Sequence, residues 1–441
     1  MKKNHSYIQI FCFALPLFGL GIASLFVKPG GVSQEEKRAL APVPAYTSRS
    51  LWSGSYTDSL EMYFADNFPG RDPLIRVSFA LKNWRGMKSE EIAFYTPKAK
   101  PPVPGAKPGA AAVVDTGDAA SMNGEVNKGV FITEGRAMQI FGGSVKMGNL
   151  FAETANKFAE AMPAHINLYC MIAPTAGEFY IRGKHRKMYR SETENIANIH
   201  SGLSARIRPV DAVGKLREHS AEYLFFNTDH HWTARGAYYA YAATCERMGI
   251  TPTPLESMPT GVICNFLGSL YWLTRDPKLE KNKDSVVYYQ VPGNYKAVCY
   301  TAKNPGKAMA ASLLAKMASG SNAYSVFLGG DYPLMKIDNP GASPRRLLIL
   351  KNSYGNPYSA FFVSHFEKTF IVDYRYFEGG VMKLVKEEGI TDIVIAYGSF
   401  SANTPWHIRR LNHIIKPGKP AAPAAPAKPV PSTPKDSARR P

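Results

Sequence analysis

Asp229, His230, His231 and Trp232 stand in four consecutive positions within FFNTDHHWTARGAYYAYAA, residues 225–243. Side chains of an extended segment alternate with period two, so Asp229 and His231 should share one face and His230 the other. A carboxylate that holds the Nδ1–H of an imidazole leaves Nε2 as a base. Such a base needs a nucleophile, and Ser353 is the candidate. In RRLLILKNSYGNPYSAFF an apolar run, 347–350, reads as a strand. It breaks at Ser353 and Gly355 and passes into an aromatic run able to open a helix. A serine at a strand-to-helix turn is presented at the end of a sheet, beside backbone N–H groups that can hold an oxyanion. The chemistry expected is acyl transfer by Ser353, His231 and Asp229. Tyr354, Gly355, Arg375 and Trp232 are secondary candidates for holding substrate or oxyanion.

Other chemistries fit these residues less well. Adjacent histidines rarely ligate one ion, and no HExxH pattern accompanies Asp229, His230 and His231, so no metal is expected. Nor is any cofactor expected. A structural reading competes at each position. TDHHW could be a core turn anchored by its Trp, and the Asn and Ser of KNSYGN are good helix caps. Asp373 and Arg375 could pair on one face, or Arg375 could meet an anionic group. LGGDYP, 328–333, could offer N–H groups to an oxyanion or make a tight turn. His185, His365 and His413 read as surface or core residues.

The elements that must position these groups follow an α/β rhythm. GVFITEGRAMQIFGG reads as a hairpin, residues 149–162 as an amphipathic helix, and HINLYCMIA as a strand that feeds a loop at Pro174-Thr175. A helix through ENIANIHSGLSARI, a strand near Val210 and a helix over AVGKLREHS precede the histidine motif. ARGAYYAYAATCERMG is helical beyond it. After a mixed region, 250–325, with a lysine-rich loop expected at 278–283, the last third alternates regularly. It gives a strand at 347–350, a helix near 359–367, a strand at TFIVDYRYF, a helix at VMKLVKEEG and a strand at DIVIAYG. Strands separated by helices imply right-handed crossovers and a mostly parallel sheet.

The chain of 441 residues carries a formal net charge of +18, with 45% hydrophobic residues. That composition describes a globular protein with an anionic partner: a polysaccharide, a phospholipid or a teichoic-type polymer. No nucleic-acid motif is present. Lys2 and Lys3 precede an apolar run from Ser6 to Val27, long enough for a membrane anchor at 1–29 that leaves the rest extracytoplasmic. A cleaved signal with secretion is the alternative. Residues 30–95 form a helical lead-in, including two helical pieces around a Pro-Gly turn. The Pro/Ala/Lys stretch 96–121 is a flexible insertion, 122–415 the catalytic unit, and 416–441 a disordered basic tail. Cys170, Cys245, Cys264 and Cys299 lie on the exported part, either as buried thiols or in disulfides whose pairing stays open.

These pieces resemble the DHHW family, on Asp229-His230-His231-Trp232 together with LLILKNSYGN and, less specifically, YFADNFPGRD, PVDAVGKL, FLGSLYW, FLGGDYP and DYRYF. They are also similar to the wider SGNH-hydrolase-like proteins that O-acetylate alginate and other exopolysaccharides. The resemblance implies an SGNH-like three-layer α/β/α domain with a permuted order, the acid and base (Asp229, His231) preceding the nucleophile (Ser353). It implies an O-acetyltransferase acting on an anionic or neutral surface polysaccharide, with a multipass membrane acyltransferase as a source of acyl groups. An acetylesterase or a noncatalytic polysaccharide-binding protein on the same fold are the alternatives. Asn352 departs from the Asp common at that position.

Overall fold

The computed structural model describes residues 127–415 without a break, residues 38–52 and 54–71, the short strands Val32–Ser33 and Ala93–Tyr95, and scattered residues from 11 to 22 and from 73 to 81. The expected insertion at 96–121 and tail at 416–441 lie outside the described residues. So does most of the anchor at 1–29. Among the described residues no helix is long and apolar enough to cross a membrane. Of the helical lead-in, a helix at Ser55–Asp66 is seen, followed by the expected turn at Pro69-Gly70.

An eight-stranded sheet carries the main unit. Its strands are β1 (Asn167–Ala173), β2 (Ile207–Val210), β3 (Lys296–Tyr300), β4 (Met309–Ala311), β5 (Leu334–Asp338), β6 (Ser343–Lys351), β7 (Phe366–Asp373) and β8 (Asp392–Gly398). The order across the sheet is β4-β3-β5-β7-β6-β8-β1-β2. The five strands from β7 to β2 run parallel. Antiparallel β5, β3 and β4 extend the β7 edge. The parallel expectation therefore holds for the part nearest Ser353, and the antiparallel extension comes largely from the region the sequence left unassigned.

Counted from β6, the parallel strands read 2-1-3-4-5. That is the doubly wound order, with its switch point between the first strand and the third. Here those are β6 and β8. The Lys351↔Ala396 and Gly398↔Ala173 pairings bring the carboxyl ends of β6, β8 and β1 to one edge. Ser353, Ser399 and Thr175 follow those ends.

Strand alternation builds two cores. Tyr169, Met171, Leu347, Ile349, Val394 and Ala396 face helices Ala234–Met248 (α1) and Gly355–Ala360 (α2). Leu168, Cys170, Leu348, Leu350, Ile393 and Ile395 face Val145–Ala161, Val381–Glu388 and Pro405–His413 on the other side. The layers are thus helix, sheet, helix. Residues 347–350 are wholly buried, and each such apolar side chain contributes roughly 1.5–3 kcal/mol.

Three local expectations need correcting. The helix placed near 359–367 starts at Gly355 and ends in a 3-10 turn, Phe361–Ser364. Residues 354–363 are all buried, so no polar face marks the helix. The lysine-rich stretch is a short helix, Pro277–Lys281, begun by an Asp276 cap on the Lys278 N–H at 2.9 Å. The four cysteines 170, 245, 264 and 299 are free thiols, which removes the disulfide alternative for them, and Cys264 is exposed where a buried thiol was the other expectation.

Candidate active site

The histidine motif is not the extended segment its spacing proposed. Residues 227–231 form a bend closed by an isolated bridge between Phe225 and Trp232. The Phe226 N–H donates to the His231 carbonyl at 3.3 Å, and the Thr233 N–H to that of Leu224 at 2.8 Å. Thr233 then caps α1 through the Gly236 N–H, 3.2 Å away. Because the backbone bends, His230 does not point away from His231: the two rings lie 3.8 Å apart. The Asp229–His231 contact arises from a local turn in which the His231 N–H and Nδ1 both meet Asp229 Oδ1, at 3.0 and 2.6 Å.

The rest of the chain holds this bend. Asp284 accepts the backbone N–H groups of Asn227 and Thr228, both at 2.8 Å. Asp229 Oδ2 accepts the Ser269 N–H at 2.7 Å, and the Ser269 hydroxyl meets His230 Nδ1 at 2.5 Å. Gly268 is required here, since an added Cβ would run into the Asp229 side chain. None of Gly268, Ser269 or Asp284 stood out in the sequence as a site residue. FLGSLYW was noted only as part of a resemblance.

Ser353 Oγ lies 2.9 Å from His231 Nε2 across 122 residues of chain. Trp232 Nε1–H donates to the Tyr354 carbonyl at 2.8 Å, and the Tyr354 hydroxyl donates to the His230 carbonyl, so each half carries a clasp for the other. Tyr324 adds a third. Its ring stacks on His231 with centroids 4.0 Å apart, and its hydroxyl donates to the Ser353 carbonyl at 2.9 Å. Sequence reasoning missed Tyr324, which sits in the 3-10 turn Gly320–Val326 of the unassigned region.

The electrostatics fix the proton positions. Burial would raise the Asp229 carboxyl, but the His231 and His230 imidazoles and the Ser269 N–H hold it well below the usual carboxylate range. An ionised carboxylate only accepts, so the 2.6 Å bond requires the proton on His231 Nδ1. Nε2 is then the acceptor for the Ser353 hydroxyl. Asp229, His230 and His231 also bring one possible ligand atom each within 4.8 Å. Asp229 and Ser269, however, already engage the Nδ1 atoms of His231 and His230.

The secondary candidates are placed differently from the expectation. Trp232 is fully buried and cannot meet a substrate; it joins the two halves of the site. The Tyr354 N–H donates to Asn352 Oδ1 at 3.2 Å, and the Gly355 N–H to the Asn352 carbonyl at 2.9 Å. Both groups are thus engaged inside the turn. Arg375 donates Nε to Asp373 Oδ1 at 2.9 Å and pairs with Asp331 at 3.0 Å. Lys351 completes the cluster, 3.0 Å from Asp331 and 2.9 Å from Asp373. LGGDYP makes the turn that delivers Asp331, with positive φ at Leu328, Gly329 and Gly330.

A second carboxylate ties the neighbouring strand ends together. Glu192, fully buried, accepts the Thr175 N–H at 2.9 Å, the Thr175 hydroxyl at 2.6 Å, and the Tyr189 and Ser399 hydroxyls. From Ser399 the short helix Ser399–Ala402 leads to Ser401, which accepts the Asn352 side-chain N–H at 2.9 Å. Burial pushes Glu192 up to about 7.

The chain is thus a doubly wound α/β protein with a serine, an imidazole and a carboxylate in line at the switch point of its sheet. The DHHW protein family model matches residues 109–372, more than half of the sequence, and the chain belongs to the DHHW family. A solved DHHW family protein from Eubacterium siraeum is similar at 30% identity and a TM-score of 0.60, over 65% of this chain and 96% of its own. Bacillus cereus PatB1 aligns at 17% identity with a TM-score of 0.54, over 63% of this chain and 98% of its own, a likeness of fold. The O-acetyltransferase domain of Pseudomonas putida AlgJ, at 14% identity and a TM-score of 0.36 over 61% of this chain and 90% of its own, is too dissimilar to carry anything across. No curated protein matches the sequence.

Proposed function

We propose that the chain is an extracytoplasmic serine acyltransferase that O-acetylates hydroxyls of a cell-surface or exported polysaccharide. The observation that carries this reading is the 2.9 Å approach of Ser353 Oγ to a His231 ring whose far nitrogen is held by Asp229. In the first step the serine oxygen bonds the acyl carbon of a donor ester while its proton passes to Nε2. The donor's carbonyl reforms as its leaving oxygen departs with that proton, and an acyl-serine remains. In the second step a sugar hydroxyl gives its proton to Nε2 and bonds the acyl carbon, and Ser353 Oγ departs from that carbon with the proton, restoring the free serine. Asp229 stabilises the imidazolium in both. The stacked face of Tyr324 favours the same cation.

The donor in this reading is a multipass membrane acyltransferase, and the amino-terminal apolar run keeps the protein at that membrane. A structure of PatB1 carries a sulfonyl adduct, which makes sulfonyl reagents the natural first trap here. The test is labelling of the full chain with a sulfonyl fluoride or fluorophosphonate, with Ser353 identified by mass spectrometry. Ser353→Ala and His231→Ala should both abolish it. Labelling elsewhere, or labelling unchanged by His231→Ala, ends the enzyme reading and leaves a polysaccharide-binding protein. Acetyl-ester turnover with and without oligosaccharide then separates transfer from hydrolysis, because acetate release indifferent to acceptor identifies an esterase.

A further inference from the structure

Beyond the carboxyl end of β1 the chain runs through RGKHRKMYR, residues 182–190, with five Lys or Arg and one His in nine positions. Its neighbouring carboxylates do not balance this charge at the surface. The Glu178 side chain is covered and holds Arg186 through two 3.0 Å contacts, and Glu192 is buried among hydroxyls. Glu194 is the nearest exposed acid along the sequence. Arg182, Lys184, Lys187 and Arg190 are exposed and enter no ion pair among the described residues. Two of them are aimed by backbone: Arg182 Nε donates to the Phe179 carbonyl at 3.3 Å, and an Arg190 guanidinium N–H to that of Gly143 at 3.1 Å. Each guanidinium keeps further donors in a fork suited to a carboxylate.

The stretch adjoins the candidate site. It belongs to the edge that carries Ser353 and Ser399, and the Phe179 and Tyr180 rings just before it pack 5.2 and 6.2 Å from Phe225 of the histidine bend. We propose that residues 182–190 are the docking edge for an acidic polysaccharide acceptor, whose carboxylates pair with Arg182, Lys184, Lys187 and Arg190 while a neighbouring sugar reaches Ser353. This rests on Ser353 as the acyl carrier, since what is held beside the nucleophile is what it acts on. Other polyanions fit less well. A lipid surface calls for exposed apolar residues among the cations, and only Met188 is one, at 38% exposure. Single-stranded nucleic acid calls for an exposed stacking ring, whereas Tyr189 is buried.

The test uses the full chain with two fluorescent oligosaccharides of equal length, one a polygalacturonate and one a neutral glucan, titrated by anisotropy at rising salt. The acidic probe should bind with an affinity that falls steeply with salt, and the glucan should bind at least tenfold more weakly. Lys184→Gln with Lys187→Gln, two residues whose side chains make no hydrogen bond among the described residues, should weaken the acidic probe several-fold. Adding Arg182→Gln and Arg190→Gln should weaken it at least tenfold while Ser353 labelling stays unchanged. Equal binding of the glucan, unaltered binding by the four-residue variant, or tighter binding of anionic vesicles or single-stranded DNA would overturn the proposal. If the wild type binds the acidic probe and yet never labels at Ser353, the acyl-carrier reading has failed and the docking edge survives as a binding site.

Discussion

Two groups of charged side chains meet at the end of β6, one on Lys351 and the other on Ser353, and they treat charge in opposite ways. Around Lys351, two cations and two anions (Arg375, Asp331 and Asp373 are the others) interlock within about 3 Å of one another. Asn356 Oδ1 takes one more ammonium contact at 2.7 Å. Every charge there is matched. Around Ser353 a lone buried carboxylate faces two imidazoles, and the far nitrogen of one meets a neutral hydroxyl. That side is left one proton short of a matched pair, which is the condition a base needs. Matched charge fixes the turn and unmatched charge leaves a proton free to move.

The contrast can be broken from either side. The largest effect is expected on the unmatched side: His231→Ala, or Asp229→Asn with its loss of the tautomer, should lower the rate of Ser353 acylation by about 10³-fold or more. Circular dichroism should show the fold kept. On the matched side, Lys351→Met leaves the buried Asp373 carboxylate and the partly exposed Asp331 carboxylate facing one guanidinium. It should cost about 3–5 kcal/mol of stability by denaturant titration, with acylation retained in the folded fraction. If Lys351→Met instead abolished acylation without loss of stability, the division of labour drawn here would be wrong.

Glu192 sharpens the comparison, being buried with four donors and no cation on its hydrogen-bonding oxygens. Its folded value of about 7 lies above the ordinary 4.5, so the folded state holds the proton more tightly. The stability this contributes is full below about pH 4.5 and is lost as pH rises through about 7. Thermal midpoints of the wild type should therefore fall over that window relative to Glu192→Gln, by an amount worth roughly 3 kcal/mol. Parallel midpoint curves for the two proteins would mean that Glu192 does not titrate there. The smallest expected effect belongs to Tyr324. Tyr324→Phe keeps the stack and loses the bond to the Ser353 carbonyl, about 1 kcal/mol, and should slow labelling several-fold. Tyr324→Leu, which also loses the ring over His231, should slow it further.

What was legible in the sequence follows from what is local. Asp229 and His231 are two residues apart, and Ser353 closes a run of buried aliphatic residues, so both halves of the site carried a written signal. The signal misled on geometry, because Asp229 reaches His231 through a bend that Asp284, Gly268 and Ser269 help to enforce, and a backbone N–H from residue 269 leaves no mark in the text. Tyr324 lay in a stretch without periodicity. Lys351 drew no notice in the sequence, although its charge is buried with partners from two other segments. The sheet itself was readable where helices separate strands. It was not readable at β3, β4 and β5, which follow one another as antiparallel strands with no α-helix between them.

The placement of β8 has a consequence for how such a molecule comes into being. It is the last strand of this sheet to leave the ribosome, yet it lies between β6 and β1. Before it arrives the sheet exists as two fragments with no hydrogen-bonded seam between them, and one of those fragments ends in the serine turn. Closure is a late, long-range event of the kind that slows folding. Reactivity is thereby tied to completion: a chain interrupted before residue 392 would hold every member of the triad and lack the plank that brings them to a common rim.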